Sequence, residues 1–134
     1  MFVTSDQNDP FTGNVLVAII KVTGLVPKQE HFQHVHGDSN ATATCPSAAD
    51  ANRSNVITVT EALAKIGSIA FDLQPYPVAD AHGTVDITQT FTLDPDELAR
   101  ITPMAGLVMV FHGAMNQGKY DRSLLAACGP IQAA

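Results

Sequence analysis

The chain has 134 residues, 46% of them hydrophobic and 15% charged, with a formal net charge of −6. That length suits one domain spanning 1–134, and the apolar share supports a core and excludes a disordered chain. The acidic balance argues against nucleic-acid binding, which draws on a basic face, and the seven Lys and Arg residues form no polybasic run to hold a membrane surface.

Residues 1–13, MFVTSDQNDPFTG, are polar and turn-rich and predict a loose lead-in. NVLVAIIKVTGL (14–25) is β-branched and reads as a strand ended by Gly24 and Pro27. Its apolar core, VLVAII (15–20), is far too short to span a bilayer. No basic segment precedes a long apolar stretch at the N-terminus, so no signal peptide is expected within the chain. EHFQHVHG (30–37) is a second strand, and DSNATATCPSAADANRSN (38–55) a long polar loop. TVTEALAKI (58–66) predicts a short helix capped by Thr58. GSIAFDLQ (67–74) is a strand and YPVADAHG (76–83) a turn.

TVDITQTFTL (84–93) alternates, with Val85, Ile87, Gln89, Phe91 and Leu93 on one face, which predicts a half-buried strand. DPDELARI (94–101) is a short helix with acids in its first turn. GLVMVFHG (106–113) is almost continuously apolar and so a central strand. NQGKYDRS (116–123) reads as loop and LLAACGPI (124–131) as a last short strand. Many short strands between turns argue for an all-β, antiparallel sandwich or barrel.

Three of the five histidines fall within HFQHVH (31–36). On a strand, His34 and His36 are two apart and share a face, whereas His31 has the opposite parity. Two imidazoles on one face can share a metal ion. His112 ends an apolar strand, where a buried imidazole needs a partner. If the two strands approach, His34, His36 and His112 converge, and three neutral imidazoles suit Cu(II), Zn(II) or Ni(II), with copper favoured. His82 precedes a glycine and reads as an exposed turn residue. Cys45 and Cys128 have no CxxC spacing, which leaves one disulfide or two buried thiols.

A second pattern lies in DANRSNVITVTE (50–61). Asp50, Asn52, Ser54, Val56, Thr58 and Glu61 occupy positions 1, 3, 5, 7, 9 and 12 of an EF-hand-type calcium loop. No entering helix is visible, so the likeness is to single-loop calcium motifs. The competing reading is a polar loop with a helix cap.

HFQHVHG resembles the H-x-x-H-V-H segment of the copper/zinc superoxide dismutases, and VMVFHG resembles their later strand ending in a copper-ligand His. LLAACGPI is similar to their C-terminal L-A-C-G-V-I segment. The order of these features matches, with Cys45 in the loop after H-V-H. A related likeness is to chordin-type domains. The resemblance implies a Greek-key sandwich and copper on His34, His36 and His112. It also implies a bracing role for His31 and a Cys45–Cys128 disulfide, hence an extracytoplasmic setting.

There are departures. The loop 46–66 lacks the family's bridging His, and the zinc ligands are missing, so zinc in the usual second site is not expected. Leu125 stands where the family has its active-site Arg, with Arg122 the nearest substitute. The expectation is a copper-binding domain with a three-His mononuclear site and weak or absent superoxide dismutation. The alternative is a non-catalytic chordin-like interaction module with a calcium-braced loop. Metal ions are the expected partners, and a homo-oligomer is left open.

Overall fold

The computed structural model describes residues 2–9, 13–37, 42–47, 56–102 and 104–133. Among these residues two four-stranded sheets share one core. The first has the order β5-β2-β1-β8, from β1 (Phe2–Asp9), β2 (Gly13–Val22), β5 (Val85–Leu93) and β8 (Gln132–Ala133). The second has the order β4-β3-β6-β7, from β3 (Gln33–His36), β4 (Ile69–Asp72), β6 (Val108–Asn116) and β7 (Lys119–Pro130). All pairings are antiparallel except β1 with β8.

Strand parity builds the core. Leu16, Ala18 and Ile20 on β2 are buried, as are Val85 and Leu93 at the two ends of β5. They pack with Val35, Met109 and Phe111 from the facing sheet. The threonines and Asp86 of β5 stay exposed, as its alternation predicts. A polar clamp crosses the layers, where the Gln33 amide donates to Gln89 Oε1 at 2.7 Å and to the Leu73 carbonyl at 2.9 Å. β6 lies between β3 and β7 and is buried from Val108 to Gly113, in keeping with its apolar run.

Among the described residues there are two short helices. α1 (Val59–Ile66) and α2 (Pro95–Ile101) each start with a reciprocal cap, Thr58 with Glu61 and Asp94 with Glu97. α1 buries Ala62 and Ile66 against Val108 and Val110 on the outer face of β6, making a second, smaller core.

Four expectations need correction. Residues 2–9 are not a loose lead-in but β1, paired with β2 from Phe2↔Ile19 to Asp6↔Val15. Pairing context outweighs a polar composition, because the open edge of β2 offers backbone partners that propensity does not record. Residues 116–123 are not a loop. β6 turns into β7 through Gln117 and Gly118 alone, both at positive φ (53° and 76°). A two-residue hairpin needs that backbone, and Gln in place of the usual Asn or Asp concealed it. LLAACGPI (124–131) is therefore no separate short strand: β7 runs unbroken from Lys119 to Pro130. The strand expected over 30–37 contracts to four residues, with Glu30 in an isolated bridge to Val78.

Candidate metal centre

β3 and β6 set the site. Their register pairs Gln33 with Phe111, His34 with Val110 and His36 with Val108. Gln33 and Val35 face the core, so His34 and His36 face outward, on the side where Val108 and Val110 meet α1. His112 has the same parity on β6 as Val108 and Val110, and its N–H donates to the Phe32 carbonyl at 2.9 Å. A register shift against β7 falls on either side of His112. The three imidazoles thus converge. One nitrogen of each lies within 4.8 Å of the others, and all three residues are buried. Such a cluster can hold a metal ion.

The neighbours decide which nitrogen of each ring faces inward. The Gly67 carbonyl lies 2.9 Å from His36 Nδ1. A carbonyl only accepts, so Nδ1 carries the proton and Nε2 keeps its lone pair. His36 Nε2 is buried with no hydrogen-bond partner among the described residues. The Asp72 carboxylate lies 3.3 Å from His34 Nε2, which places that ring's proton there and turns Nδ1 inward. His34 Nδ1 and His112 Nε2 are 3.0 Å apart. Asp72 is itself held by Tyr76, whose hydroxyl donates to Oδ1 at 2.6 Å, and by the Gln74 amide at 2.9 Å.

His31 sits outside the cluster and is fully buried. Its Nδ1 lies 2.8 Å from the His112 carbonyl and its Nε2 3.0 Å from the Val26 carbonyl. It therefore grips the main chain of His112 rather than offering a lone pair to the site. Tyr120 crosses His31 edge-on and donates its hydroxyl to the Glu30 carbonyl. Gly113 makes this approach possible, since a Cβ there would stand 2.0 Å from the Tyr120 hydroxyl.

Burial lowers the pKa of all three clustered histidines. His112 falls to about 4, burial acting first and then the fields of His34 and His36. For His34 burial outweighs the opposing Asp72 carboxylate, and His36 pushes in the same direction as burial. For His36 burial outweighs the Gly67 hydrogen bond. The rings are therefore neutral near pH 7, the form that binds metals.

Cys45 and Cys128 are joined by a disulfide, tying the segment after β3 to β7 beside the small core. His82 is exposed, in a turn closed by Asp80. Of the calcium pattern, Asp50, Asn52 and Ser54 lie outside the described residues. Thr58 and Glu61 form the cap of α1, and Val56 precedes it. Sequence reasoning missed Asp72, Tyr76, Gly67 and Tyr120. Asp72 had one visible signal, as the single charge within an apolar strand segment. The others come to the site through pairing and turn geometry alone. Comparison of the chain with protein-family models, curated proteins and solved structures finds no match.

Proposed function

We propose that this chain is a superoxide-dismutase-like copper-binding domain with a mononuclear three-histidine site. One observation carries the reading. The buried Nε2 of His36, without a partner among the described residues, faces a nitrogen of His34, whose outer nitrogen is held by Asp72, and a nitrogen of His112, whose backbone carbonyl is held by His31. A desolvated lone pair without a partner is costly, and a bound cation removes that cost. Three neutral imidazoles suit borderline metals, and the Irving–Williams order favours Cu(II) among them.

The strand order is compatible with a Greek key. The chain passes between the sheets from β2 to β3, β4 to β5, β5 to β6 and β7 to β8. The disulfide supports an extracytoplasmic setting. Copper on this site would supply one-electron chemistry, the alternate oxidation and reduction of superoxide. This chain's own residues favour little turnover: Leu125 packs against the small core where the family's Arg would stand.

Copper titration followed by electron paramagnetic resonance tests the proposal. The expected result is one equivalent with a three-nitrogen type 2 signal. No such signal would leave the chordin-like interaction module as the better reading. A dismutation assay, set against free copper, then measures activity separately from binding.

A further inference from the structure

Above the three imidazoles the surface opens into a cavity of about 480 Å³, within the range of small-molecule sites. Val59 and Leu63 of α1 and Ile69 of β4 line it beside the histidines. Leu63 and Ile69 are each 51% exposed, two large apolar side chains set at its mouth. Among the described lining residues Arg122 alone carries a full charge. Its guanidinium lies 5.4 Å from the centre of the Phe32 ring and 3.8 Å from the Glu30 carboxylate. Both side chains of that ion pair are more than two-fifths exposed, so the pair is weak and open to exchange.

An inorganic anion would use Arg122 and leave the apolar wall wet. A neutral hydrocarbon would cover the wall and leave the guanidinium unused. We infer that the cavity binds a small amphiphilic organic anion. Its carboxylate takes Arg122 in place of Glu30, and its apolar body covers Val59, Leu63 and Ile69. Placing this ligand beside a metal rests on the copper reading; binding it does not.

Calorimetric titration of octanoate into the metal-free protein tests the inference, with octanol as the uncharged comparison. Saturable octanoate binding is expected. Leu63→Gln, an exposed helical substitution, weakens it about tenfold or more, as lost apolar burial requires. Arg122→Gln weakens octanoate about two- to fivefold and leaves octanol unchanged, as for an exposed ion pair. Thermal melts confirm that both variants fold. No binding at millimolar octanoate, or equal binding by both variants, overturns the inference. So does sedimentation showing a wild-type dimer that Leu63→Gln abolishes and octanoate does not disrupt, because a second copy then covers the mouth. Octanoate binding without copper binding sinks the metal reading alone; the reverse sinks the ligand alone.

Discussion

The Gly67 carbonyl, 2.9 Å from His36 Nδ1, determines which nitrogen of His36 remains free. Gly67 ends α1, and its N–H returns to the Leu63 carbonyl. The helix end therefore selects the tautomer of a residue on a strand. His36→Ala and His112→Ala should each abolish tight copper binding, because each deletes one of three inward nitrogens. His82→Ala should leave it unchanged, since His82 is exposed in a turn and is not part of the cluster. Chelator competition reads all three, and His82→Ala proving as damaging as His112→Ala would show that the ligand set is misassigned.

Asp72 offers a sharper test. It faces His34 across the β3–β4 register and holds His34 Nε2 at 3.3 Å. Asp72→Asn keeps an acceptor there but removes its charge. Copper affinity should fall about 10- to 100-fold, the usual cost of losing an outer partner of a ligating His. Tyr76→Phe, which removes a hydrogen bond to Asp72 but leaves the carboxylate in place, should cost less. His31→Ala should also weaken binding about 10- to 100-fold by freeing the His112 main chain. Wild-type affinity in Asp72→Asn would mean that the carboxylate does not orient the ring.

Much of this was legible from one-dimensional periodicity. Parity put His34 and His36 on one face, alternation marked the wet face of β5, Thr58 marked the start of α1 as a cap, and acids in the first turn marked α2. What escaped notice depends on pairing between distant segments. β1 has no strong strand signal of its own and forms on the β2 edge. Asp72 meets His34 through strand register, and Tyr120 reaches His31 from a strand that begins beyond an unmarked turn. No local pattern encodes those contacts.

Stability of the metal-free protein should fall as the solution is acidified from about pH 6.5 to 4. His112 has a folded pKa of about 4 against an ordinary 6.5. Between those values the unfolded chain binds a proton that the folded chain excludes, so stability is full above 6.5 and drains away towards 4. For His112 alone the loss is roughly 3 kcal/mol. His34 and His36 are shifted in the same direction and add to it. Asp80 and Asp121, held below 3.8, act only at lower pH. Urea unfolding at pH 7, 5.5 and 4.5 measures the slope. A flat profile across that window would show that the imidazoles titrate freely in the folded state.

The disulfide closes 83 residues of sequence separation. Chain-entropy estimates put such a cross-link at about 4–5 kcal/mol, a model-dependent figure. Reduction should lower unfolding stability by a comparable amount and loosen the segment after β3, which leads directly from His36. Thiol labelling of denatured, unreduced protein should find no reactive cysteine. Two labels per chain would remove both this contribution and the support for an oxidising compartment.

The calcium proposal for residues 50–61 can be separated from the helix cap that Glu61 also makes. The Glu61 carboxylate accepts the Thr58 N–H at 2.9 Å, and the Thr58 hydroxyl accepts the Glu61 N–H at 3.1 Å. Gln serves that reciprocal cap as well as Glu does. It lacks the charge that a bidentate calcium ligand requires. Glu61→Gln should therefore melt like the wild type without calcium. In millimolar calcium the wild type should gain melting temperature and the variant should not. Thr58→Ala, by contrast, should cost about 1 kcal/mol even without calcium, because it removes the cap itself. A wild-type melting curve unmoved by calcium would reduce the segment to a polar loop leading into a capped helix.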